Sequence, residues 1–145
     1  MEEIRSITDK AELEGTAYIE LLPGKYKGHC WNDGSLFFEE EVFGYFEPTI
    51  EAHAQDFDHY AFTEVAATQC SAISDALKSL SAGISAATQM QELPPQLGFL
   101  FNGTEERFSQ NFEANSRALA ALANELARWF TDQSSANECV TILGI

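Results

Sequence analysis

One apolar stripe constrains this chain more than any other feature. Phe108, Phe112, Leu119, Leu122, Leu126 and Trp129 or Phe130 recur at intervals that keep to one face of an α-helix. The pattern predicts a long helix over residues 104–130, one side of which must be buried against the rest of the chain. Asn102 stands where an N-cap belongs, with Glu105 three residues on as in a capping box. Glu105 and Glu106 fall at the positive end of the helix dipole and Arg128 near its negative end.

The partner surface for that helix is predicted from the remaining segments. Residues 16–22 read as a strand, stopped by Pro23-Gly24, and residues 26–31 as a second one. Asn32-Asp33-Gly34 supplies a turn, because Asp-Gly readily takes the positive φ angles of hairpins, and residues 35–38 read as the returning strand. From Glu39 the period becomes helical through Val42, Phe43, Phe46, Ile50 and Ala54. Pro48 divides this run into a short helix ending near Phe46 and another with Pro48 in its first turn. Residues 56–63 fit a loop or a strand. Val65, Gln69, Ile73, Leu77, Leu80 and Ile84 trace a further helix face, with Thr63 as its cap and Gly83 near its end. Leu93-Pro94-Pro95 is a break, and Cys139–Leu143 reads as a closing strand that joins the early sheet. The expectation is a single α+β domain over residues 1–145: a small antiparallel sheet, several helices, and a long C-terminal helix followed by the closing strand. A chain of 145 residues is long enough to build one core without staples.

Charge narrows the function. Twenty-three acids against eight bases leave −15. Between Lys27 and Lys78 there is no Lys or Arg, and that stretch holds Asp33, Glu39, Glu40, Glu41, Glu47, Glu51, Asp56, Asp58, Glu64 and Asp75. Such a surface repels nucleic acid and anionic membranes, which bind through Lys and Arg, and attracts basic proteins. No apolar run approaches the length of a membrane-spanning helix. The first residues, Met1-Glu2-Glu3-Ile4-Arg5, lack the pattern of a signal peptide, so the expected compartment is the cytoplasm. Cys30, Cys70 and Cys139 are odd in number and widely spaced, which suits small buried hydrophobes rather than a disulfide framework or a zinc clip.

Catalytic signatures are missing from the sequence: no phosphate loop, dinucleotide fingerprint, nucleophile elbow or zincin helix occurs. His53, Asp56, Asp58 and His59 are the one cluster with metal-ligand or acid–base chemistry, and their spacing matches no ligand signature. The expectation is no enzyme, no cofactor and no metal. An alternative reading keeps that cluster as the centre of a small metal-dependent or acid–base enzyme. Another alternative is an acidic adaptor or inhibitor of a nucleic-acid-binding protein. Partner binding is expected at the base-free stretch, through Glu39, Glu40, Glu41, Glu47, Asp56 and Asp58. Tyr45 and Tyr60 are the aromatics expected to be exposed among these acids, since a phenol suits an interface that is partly wet.

Size, acidity and a helix-rich α+β layout together resemble the immunity proteins of bacterial toxin–immunity systems, including those of contact-dependent growth inhibition. Two segments carry the resemblance: residues 36–48, Leu-Phe-Phe-Glu-Glu-Glu-Val-Phe-Gly-Tyr-Phe-Glu-Pro, and residues 138–145, Glu-Cys-Val-Thr-Ile-Leu-Gly-Ile. The resemblance implies a tight complex with a cognate toxin domain, often a nuclease. A nuclease site is basic because it holds phosphates, and an acidic protein complements it.

Overall fold

The structure, a computed structural model, describes residues 3–145. Four strands, β1 (Tyr18–Pro23), β2 (Leu36–Glu39), β3 (Phe62–Ala66) and β4 (Cys139–Leu143), form one antiparallel sheet in the order β2-β1-β4-β3. The last strand of the chain therefore lies inside the sheet, between β1 and β3. Its sequence, Cys-Val-Thr-Ile-Leu, is rich in β-branched residues and buried along its whole length, as a strand covered on both faces must be.

Five helices cover one face: α1 (Glu40–Gly44), α2 (Glu47–His53), α3 (Ala67–Ala86), α4 (Thr104–Gln110) and α5 (Phe112–Ala136). The α3–α5 pair dominates the packing. Ser74 Oγ donates to the Ala127 carbonyl and Ser81 Oγ to the Ala120 carbonyl, both at 2.7 Å, so the two helices run antiparallel and close together. Small residues at Ala120, Ala123 and Ala127 permit that approach. Leu119, Leu126 and Phe130 of α5 and Ile73 and Leu77 of α3 complete a core with Ile19, Leu21, Phe38, Val140 and Ile142 of the sheet.

The opposite face of the sheet is closed by chain without regular structure. Glu20 is fully buried there and accepts from Trp31 N–H (2.7 Å), Asn32 N–H (3.1 Å), Asn32 Nδ2 (2.9 Å) and Ser35 Oγ (2.6 Å). These bonds hold residues 24–35 against the strand and offset the desolvation of the carboxylate. Trp31 takes φ +61°, a left-handed conformation unusual for a bulky side chain. Its ring packs edge-on against Tyr18 and Phe37. Gly34, at φ +86°, completes the turn read at Asn32-Asp33-Gly34.

Several predicted boundaries are corrected. Residues 26–31 form no strand; they belong to the loop pinned by Glu20, and β2 pairs directly with β1. The helix predicted over residues 104–130 is two helices, broken at Asn111 (φ −138°, ψ 52°) and continued to Ala136. Asn115 Nδ2 donates to the Phe108 carbonyl at 3.0 Å and replaces a backbone bond lost at the break. Gly103, not Asn102, precedes α4 and supplies no side-chain cap. Thr63 and Val65 belong to β3, and α3 starts at Ala67, where Gln69 Oε1 accepts the Ala66 N–H at 2.8 Å. No helix among the described residues is long and apolar enough to cross a membrane.

Candidate functional site

Strand register brings the candidate residues to one end of the sheet. Tyr18 faces Glu39 across β1–β2, while Leu143 faces Glu20 on one side and Phe62 on the other. The starts of β1 and β3 and the ends of β2 and β4 thus share that end. Helix α1 follows β2 without a loop, and Glu40 N–H bonds the Ala17 carbonyl at 3.2 Å. Glu40 and Glu41 occupy the first turn of α1, where the helix dipole favours acids. Together with Glu14, Tyr18, Glu39 and Phe101 they line a groove of about 390 Å³, and its lining includes no Lys or Arg. The Phe101 ring is half exposed at this groove.

The three consecutive glutamates do different things. Glu41 is buried; its carboxylate accepts from Thr104 Oγ1 at 3.1 Å and pairs with the Arg107 guanidinium, tying α1 to α4. Glu39 and Glu40 are half-buried at the groove wall. Glu40 also meets His59 Nε2 at 3.3 Å, and His59 Nδ1 lies 2.7 and 2.9 Å from the two oxygens of Glu47. The imidazole is therefore nearly buried and held from both sides, which fixes the loop leading into β3. Burial pushes the Glu47 carboxyl above the usual carboxylate range, the His59 contact pulls it part of the way back, and Glu40 and Glu51 push it up further.

Tyr45 corrects the expectation made for it. It is 1% exposed and packs against Phe99 and Phe108, so it is a core residue and offers nothing to a partner. Burial, reinforced by Glu41 and opposed by Arg107, pushes its phenol up to about 12. Glu41 and Glu47 are likewise turned inward, to Arg107 and His59, and present no open carboxylate to a partner. Tyr60 is 74% exposed, with its ring edge-on to His59. Asp56 and Asp58 are exposed in the same loop, where Asp58 Oδ1 accepts the Tyr60 N–H at 2.8 Å.

His53, Asp56, Asp58 and His59 do not converge. His59 turns to the two glutamates while the other three side chains face solvent. Among the described residues, no group of three or more His, Cys, Asp and Glu is placed to hold a metal ion. Cys70 and Cys139 are buried as expected, but Cys30 is exposed in the loop that Glu20 pins, which corrects the reading of all three as buried hydrophobes. All three thiols are pushed up, Cys70 to about 11, with desolvation the largest cause, which disfavours the thiolate.

Glu14, Tyr18 and Phe101 are the site residues that sequence reading missed. Phe101, an aromatic between the Pro94-Pro95 break and Asn102-Gly103, carried a weak signal of exposure; Glu14 and Tyr18 carried none, since only strand pairing brings them to Glu39. Comparison with protein families, with curated proteins and with solved structures finds no match for this chain. The fold and the groove define a small α+β domain whose distinguishing surface is acidic and partly aromatic.

Proposed function

We propose that this chain is a binding protein, an immunity protein that neutralises a basic toxin through a charge-complementary complex. The groove carries the reading: carboxylates of Glu14, Glu39 and Glu40 beside the rings of Tyr18 and Phe101, with no base in the lining. A Lys or Arg side chain entering it gains ion pairing and a cation–π face together. The net charge of −15 extends the attraction beyond contact range and speeds encounter with a cationic protein. A nuclease domain is the partner class favoured, because its site must be basic to hold phosphates.

Capture of the partner from the native cell, followed by its identification and assay, tests this reading. The expected result is a basic protein with a toxic activity, inhibited at one equivalent of this chain. Capture of an acidic protein, or of a basic one whose activity is unaffected, would contradict it.

A further inference from the structure

We propose that the outer edge of β3 is a strand-addition site for an extended, Lys- or Arg-bearing segment of a protein partner. This surface is separate from the groove and its use does not depend on groove binding. Gly144 N–H bonds the Ala61 carbonyl at 2.9 Å and Ala67 N–H bonds the Glu138 carbonyl at 3.0 Å. Antiparallel alternation between those points directs the N–H and C=O of Thr63 and Val65 to β4, and those of Phe62 and Glu64 away from it. β3 ends the sheet, and no described residue pairs with the outward groups of Phe62 and Glu64. Gln69 takes the next outward N–H, at Ala66, which closes the edge at that end. Two residues thus present the repeat that an incoming strand requires.

The side chains around this edge carry most of the exposed large apolar surface. Of Tyr26, Tyr60, Phe62, Phe101 and Ile145, all but Phe101 gather here. Phe62 packs against Tyr26 with the rings tilted and their centroids 5.0 Å apart, Tyr60 lies two residues upstream, and Ile145 N–H bonds the His59 carbonyl at 2.9 Å. Charge selects the occupant. Glu64 is exposed at the centre of the edge, Asp56 and Asp58 precede it and Glu138 lies at its far end, against Lys25 and Lys27 beside Tyr26. A second copy is disfavoured: two β3 edges paired over their full length set Glu64 against Glu64, in chains that each carry −15. A segment alternating cationic and apolar residues meets Glu64 with its charge and the rings with its stems.

Amide hydrogen exchange of the full chain with a synthetic alternating Lys–Val peptide of about eight residues tests this, with a Glu–Val peptide as control. The expected result is that Lys–Val slows exchange at Phe62 and Glu64 by about tenfold or more while Glu–Val does not. Glu64→Pro should abolish the effect, since it deletes an outward donor and leaves the Thr63 and Val65 bonds to β4. Should that variant unfold by circular dichroism, Glu64→Lys, which keeps the backbone, should weaken the Lys–Val effect by repulsion. Retention of the effect in the groove variant Glu39→Lys/Glu40→Lys is expected, which separates this edge from the groove. No slowing with Lys–Val, equal slowing with Glu–Val, or slowing that follows the concentration of the chain alone would overturn strand addition by a basic segment.

Discussion

Glu20 shows how one side chain decides the shape of a region. Its carboxylate satisfies four donors from three residues of the 24–35 loop and lets Trp31 hold a left-handed backbone over Tyr18 and Phe37. Glu20→Ala would strand those donors in a closed space, and a loss of about 3 kcal/mol or more in urea melts is expected. A change under about 1 kcal/mol would show that the loop holds itself. Glu47 makes a prediction about pH. Its folded carboxyl titrates above the unfolded one because burial disfavours the charge. Its contribution to stability is therefore full below the unfolded value of 4.5 and is lost as pH rises through the higher folded value. Relative to Glu47→Gln, the native chain should lose stability as pH rises through that window. A relative gain over the same window would mean that His59 outweighs burial. Neither role was legible in the sequence. Glu20 sits in an apolar strand where alternation does not distinguish a buried acid from an exposed one, and His59 reads as part of a loop cluster until the fold brings Glu40 and Glu47 to it.

At the scale of elements, periodicity served well where one period was clean. The stripe from Leu119 to Phe130 is buried on the face the spacing predicts, and Leu122 is 5% exposed. Leu122→Ala should cost about 2–5 kcal/mol in denaturant melts, and a neutral result would remove that face from the core. The break at Asn111 was hidden because Phe108 and Phe112 keep helical spacing across it; the cost of the interruption is met by Asn115 and by aromatic packing on Phe108. Val65 belongs to two patterns at once, helical with Gln69 and Ile73 and alternating with Thr63. Pairing with Val140 of the central strand decides for the sheet. The segment 26–31 has aromatic and apolar residues enough for a strand, yet Glu20 captures the Trp31 N–H at its end and the sheet passes it by. Among the exposed aromatics, Tyr60 was legible from its company of acids. Tyr45 was not, because the short helix α1, which ends just before it, carries it into the core beside Phe99 and Phe108.

The whole molecule concentrates its acidity in a stretch whose own sequence holds no Lys or Arg. Ten of its acids lie between Lys27 and Lys78, and the register of four strands brings Glu39 and Glu40 from that stretch to Glu14 at one sheet end. Sequence reading located the acidic stretch but not the groove, which exists only once Phe101 and Tyr18 close around the glutamates. Keeping these charges together raises self-repulsion, which the proposed cationic partner would relieve. The groove is the centre of that account, and Glu105 and Glu106 on α4 provide a control of equal charge outside its lining. Stopped-flow association with the captured basic partner, measured across ionic strength, compares the native chain with Glu39→Lys/Glu40→Lys and with Glu105→Lys/Glu106→Lys. The groove pair should slow association by about tenfold or more at low salt and flatten its salt dependence, with a smaller effect from the control pair. Unchanged association in the groove variant, with a large loss in the control, would place the partner on another face and contradict the account.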